Sequence, residues 1–61
     1  MPSANKTGLL AVDIYGTDDD GKRRRIDIGT TVEILAFSGG IYTVRHGDVV
    51  GIVRQLDLLV R

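Results

Sequence analysis

Eight glycines are spread through a chain of only 61 residues, and their spacing limits the fold more than any other feature. They cut the sequence into pieces too short for a stable helix. An isolated helix needs roughly 12–15 residues before propagation offsets its costly nucleus. Each interior glycine costs it about 1 kcal/mol relative to alanine. The pieces between glycines read instead as strands, rich in β-branched and large apolar residues. Residues 9–15 (LLAVDIY) form a first apolar run, and residues 26–28 (IDI) a short alternation. Residues 30–37 (TTVEILAF) set Val32 and Ile34 on one face and Glu33 on the other. Residues 41–46 (IYTVRH) alternate again, and residues 49–54 (VVGIVR) give a further strand. Residues 56–60 close the chain as a helical turn followed by a strand. Asp20-Gly21, Ser38-Gly39-Gly40 and Gly47-Asp48 mark the turns.

Several short strands with glycine turns indicate an all-β sandwich or barrel. A two-sheet sandwich is hard to fill at this length, so the expectation is a small five-stranded barrel. A chain this small buries only about 60% of the surface it exposes when unfolded, which leaves a thin core. The single domain is expected over residues 8–61, with residues 1–7 as a flexible tail. Hydrophobic residues make up 43% and charged residues 26%, a globular balance rather than a disordered one. Eight bases face eight acids, so neither a strongly basic nucleic-acid binder nor an acidic mimic is the first reading. No cysteine is present to staple the fold or hold a metal. One His, one Phe and no Trp leave little material for an active site, and no catalytic residue, cofactor or metal is expected. No run approaches the roughly 18 apolar residues of a membrane span. The first residues lack the pattern of a secretory signal, so a cytoplasmic location is expected.

Residues 26–58 resemble a bacterial SH3-type domain. IDIGTTVEIL resembles the family's apolar-x-x-Gly-x-x-Val-x-Val-Leu strand. SGGIYTVRHGDVVGIVRQLDLL resembles its Ser-Gly-Gly-Trp-Tyr-x-Val turn and strand, followed by the Gly-Tyr-Val strand and closing Leu. Gly29, Val32, Ile34, Gly39, Gly40, Tyr42, Val44, Gly51, Val53 and Leu58 stand where the family would put them. AVDIY (residues 11–15) is similar to the Ala-Leu-Tyr-Asp-Tyr opening of eukaryotic SH3 domains, which makes residues 16–25 the long hairpin loop after it. The resemblance implies an SH3-like barrel. It does not carry over polyproline recognition, which depends on flat aromatic walls. The family's Trp position is Ile41, the Tyr after its glycine is Ile52, and the Pro and Tyr of its closing turn fall in RQLD. Exported members bind cell-wall glycans, again with aromatic residues.

The chemistry-bearing residues are few. Lys22, Arg23, Arg24 and Arg25 form a basic run suited to phosphate. Asp18, Asp19 and Asp20 precede it and cancel most of its field within a Debye length of about 8 Å. Across an antiparallel hairpin these acids lie near Lys22, Arg23 and Arg24. Consecutive aspartates point in different directions and suit a Ca²⁺ site poorly. His46 is the sole group poised for proton transfer at neutral pH, and it has only Asp48 nearby in a surface turn. The remaining signal is an apolar surplus. Period-two alternation sends Val32, Ile34, Tyr42, Val44 and Val53 inward, and Ile41 and Ile52 outward with Leu35 or Phe37. The expected function is a non-catalytic protein-interaction module, a small intracellular regulator or adaptor. Tyr15, Ile41, Ile52 and Leu56 supply its apolar contact, and the loop from Asp18 to Arg25 supplies electrostatic selection. The partner is another protein, or a second copy forming a homodimer through the same face. Nucleic-acid binding through residues 22–25 and glycan binding are the alternatives.

Overall fold

The computed structural model describes residues 6–60, and over these the chain is all-β. Seven strands are formed: β1 (Thr7–Leu10), β2 (Ile14–Thr17), β3 (Arg23–Ile26), β4 (Thr31–Ser38), β5 (Ile41–His46), β6 (Val49–Arg54) and β7 (Leu58–Val60). A 3-10 turn, Gln55–Asp57, precedes β7. The strands make one antiparallel sheet in the order β3-β2-β6-β5-β4-β1-β7.

Each strand supplies one buried apolar side chain. Leu10, Ile14, Ile26, Val32, Val44, Val53 and Leu58 form a single cluster, with Ile34, Tyr42 and Val49 packed against it. Ile26 and Leu58 come from strands at opposite ends of the sheet. They reach one core only because the sheet coils round it, in keeping with the right-handed twist of β-strands. The expected inward residues Val32, Ile34, Tyr42, Val44 and Val53 all belong to this core or lie against it.

The strand count and closure differ from the expected five-stranded closed barrel. The ladder has seven members and stays open, with β3 and β7 at its two ends. Two local events account for the extra strands. The run at residues 9–15 breaks in two, because the Ala11 amide donates to the Asp57 carbonyl (2.9 Å) and Asp13 Oδ1 accepts from the Ile28 amide (2.7 Å). The chain bends between these anchors, which sends β1 to β4 and β2 to β6. Second, Arg23, Arg24 and Arg25, expected in a loop, pair with β2 as strand β3. Thr7 opens β1 inside the expected tail. The first five residues of that tail, and Arg61, lie outside the described residues.

Two turns and one bulge set the rest of the register. Ser38 pairs with Ile41 across Gly39 and Gly40, whose φ values are +58° and +81°. A two-residue loop with both central φ positive matches strand twist and suits glycine, so β4 and β5 are joined by the tightest hairpin available. Between Ile34 and Ala36 the β4–β5 register slips, leaving Leu35 as an extra residue. A bulge of this kind reverses the facing of everything beyond it. Phe37 therefore pairs with Tyr42 and shares the core-side face, instead of following Glu33 outward.

Candidate interaction surface

The β5–β6 ladder sorts side chains cleanly. Tyr42 with Val53 and Val44 with Gly51 face the core, whereas Ile41 with Arg54, Thr43 with Ile52 and Arg45 with Val50 face outward. Next door, β2 pairs Gly16 with Gly51 and Thr17 with Val50. Continuing that register by one step sets Tyr15 opposite Ile52 on the outer face. Ile52 is 64% exposed and Tyr15 52% exposed. A shallow groove of about 270 Å³ runs beside Ile52, lined by Val12, Ile14, Ile41, Ile52 and Val53 together with the charged Asp13, Arg54 and Asp57. Two of the expected contact residues, Ile41 and Ile52, thus line one groove. Tyr15 does not line it, and the groove reaches beyond the outer face, since the core residues Ile14 and Val53 are part of its lining. Leu56 is 89% exposed on the 3-10 turn and also stays out of the lining.

Charged side chains edge this face, and most are already engaged. Arg23 Cζ lies 4.0 Å from the centre of the Tyr15 ring, a cation–π contact. Arg25 pairs with Asp27 at 2.7 Å, Arg54 with Asp57 at 3.1 Å, and Arg45 with Glu33 across β4–β5. Arg25 is held above its ordinary pKa, chiefly by the Asp27 charge and its hydrogen bond.

Asp18 has a different role from the one the acidic run suggested. Its Oδ1 accepts the amides of Asp20 (3.0 Å) and Lys22 (2.9 Å), and its Oδ2 accepts Arg24 Nε at 2.9 Å. The carboxylate is buried and closes the β2–β3 turn from inside, an Asx-type device. Of the expected acid–base pairs across this hairpin, Asp18 with Arg24 is formed. Asp19, Asp20 and Lys22 are exposed at the tip. Donation from Arg24, then from the Lys22 amide, holds the Asp18 carboxyl below its ordinary value of 3.8, and Arg24 is raised in return. A depressed carboxyl pKa adds stability that is fully present above the unfolded value and is lost as pH falls through the folded one. Asp18→Asn should therefore lower the melting temperature by a constant amount through neutral pH. The gap to the parent chain should close as pH falls below 3.8. Asp19→Asn and Asp20→Asn should each have almost no effect. Thermal melts by circular dichroism across pH check this, and a gap that persists in acid would refute it.

A second groove, larger at about 440 Å³, was not foreseen from the sequence. Lys6, Ile34, Leu35, Ala36, Phe37, Tyr42 and Val60 line it on the core-side face, where β4 and β5 run past β1. The Phe37 and Tyr42 rings meet at 4.5 Å between centroids, tilted by 44°. Period two could not place Phe37 here, because the bulge at Leu35 has no distinctive residue to announce it. His46 ends β5 exposed, opposite Val49. Among the described residues no group of three or more His, Asp or Glu is set to hold a metal ion, and no helix is long and apolar enough to cross a membrane.

No family model, curated protein or solved structure matches the chain. The functional reading therefore rests on the geometry above.

Proposed function

We propose that this chain is a non-catalytic protein-binding module that uses the outer face of β2, β6 and β5. The observation that carries the proposal is the register that sets Tyr15, Ile52 and Ile41 on one side of the sheet, away from the core. Exposed Tyr and Ile beside a shallow groove, edged by Arg23, Arg25, Arg45 and Arg54, match the anatomy of an interface core with an arginine rim. The partner it suits is a protein that offers apolar side chains to the Ile41–Ile52 groove. Leu56 stands apart from this groove, so its contribution is at most peripheral. An SH3-type reading of the domain is part of this proposal. The family-like glycines and core residues, from Gly29 to Leu58, take turn and interior positions in the coiled sheet.

The basic run has less to offer a nucleic acid than its sequence suggests. Arg24 and Arg25 are paired with carboxylates, and Arg23 covers the Tyr15 ring. Ile41→Ser combined with Ile52→Ser should weaken partner capture by roughly tenfold or more while circular dichroism stays native. Capture from a lysate by the parent chain, set against the double variant, checks this. An unchanged set of captured proteins rejects the proposal. Retention on nucleic acid that falls steeply with salt, lost on neutralising Arg23 to Arg25, would replace it with the phosphate-binding reading. Retention on purified peptidoglycan would replace it with the glycan reading.

A further inference from the structure

The two ends of the sheet have opposite chemistry. At one end, β3 presents Arg23, Arg24 and Arg25. Charged residues on a terminal strand are a common guard against edge-to-edge pairing. At the other end, β7 is Leu58, Leu59 and Val60, with no charge, and no further strand pairs with it among the described residues. Leu59 is 59% exposed and Val60 45% exposed. Val60 also lines the larger groove, so the edge continues into the apolar surface of Leu35 and Phe37.

We propose that β7 is a self-association edge whose occupant is the β7 strand of a second copy of this chain. The strand is its own complement. In an antiparallel pairing centred on Leu59, Leu58 of one copy faces Val60 of the other, and the two Leu59 side chains face each other. The existing register sets Leu10 opposite Leu58 and Leu9 opposite Leu59. The core-side row then runs from Leu10 through Leu58 to Val60 of the second copy. The outer row runs Leu9, Leu59, Leu59, Leu9 across the two-fold axis. No like charges meet. Pairing β3 with its own copy would set guanidinium groups against each other. In the β7–β7 pairing both copies use the same edge, so the contact is two-fold and closes as a dimer instead of extending as a fibre. A three-residue edge buries far less than the ~1,200 Å² of a standard interface, so the dimer is weak and exchanges rapidly.

Sedimentation of the full chain from micromolar to millimolar concentration tests this, alongside Leu59→Lys and Ile52→Ser. The expected result is dimerisation of the parent chain in the upper part of that range. Leu59→Lys should weaken it at least tenfold, and Ile52→Ser should leave it unchanged. A parent chain that stays monomeric at millimolar concentration, or a Leu59→Lys chain that dimerises like the parent, overturns the proposal. Amide shifts of the unmutated chain on dilution give a readout that does not depend on the variant folding. Changes concentrated at residues 58–60 and their β1 neighbours support β7. Changes concentrated at Tyr15 and Ile52 overturn it by placing self-association on the other face.

Discussion

Leu10→Ala should leave most of the protein unfolded at physiological temperature. Leu10 is 1% exposed, and its side chain joins the cluster to which all seven strands contribute. Its backbone is fixed as well: its amide donates to the Thr30 carbonyl and its carbonyl accepts the Gly29 amide. The site therefore has little freedom to collapse around a smaller residue. Truncating a buried leucine costs about 2–5 kcal/mol, and the upper part of that range applies where relaxation is restricted. A single core in a domain this small rarely supplies more than about 3–5 kcal/mol in total. One residue thus removes most of the margin. Urea unfolding followed by circular dichroism is the check, with Leu56→Ala as the control. Leu56 is almost wholly exposed, so its truncation should stay within about 0.5 kcal/mol of the parent chain. A Leu10→Ala chain as stable as Leu56→Ala would mean that the core is not where the seven strands place it.

The contrast between these two leucines also marks what the sequence could reveal. Val32, Ile34, Tyr42, Val44 and Val53 were legible as interior because they lie on strands with strict alternation, joined by turns whose glycines are explicit. Ile52 was legible as exterior for the same reason. Legibility failed where a long-range hydrogen bond overrode local pattern. Nothing in residues 9–15 announces that the Ala11 amide will seek the Asp57 carbonyl, so one expected strand became two. Likewise, Asp18 reads as one of three equivalent surface acids until Arg24 and two amides converge on it. The bulge at Leu35 is the clearest case, because its effect on Phe37 is a reversal of face rather than a shift in degree. The candidate surface shares this division. Ile41 and Ile52 follow from alternation. The nearness of Tyr15 depends on β2 lying beside β6, a pairing between strands far apart in sequence.

That β2–β6 pairing is also where the largest effect of adding a single methyl group is expected. Gly16 pairs directly with Gly51, and the two backbones approach too closely for side chains. A Cβ built on Gly16 would lie 2.6 Å from the Val50 carbonyl oxygen and 2.7 Å from Val49 Cγ1. The oxygen belongs to the backbone of the paired strand and cannot swing aside. Gly8 is closed by a different group, since a Cβ there would meet Cγ and Cδ1 of the buried Leu58 at 2.8 and 2.9 Å. Gly16→Ala must therefore push β2 away from β6. Only two residue pairs hold these strands together, and they also hold the β2–β3 hairpin to the rest of the sheet. Forcing a methyl into a closed contact costs about 1–3 kcal/mol, and more where backbone must move. At about 4–8 °C per kcal/mol for a domain of this size, the melting temperature should fall by roughly 10–20 °C. The loss should also be local first. Amide exchange in Gly16→Ala should accelerate along β2 and β3 at temperatures where β4 and β5 stay protected, because the hairpin detaches before the core opens. Equal acceleration in all strands would show instead that β2 and β3 are integral to the core's cooperativity, and that Ile14 and Ile26 bind the hairpin more firmly than its backbone ladder does.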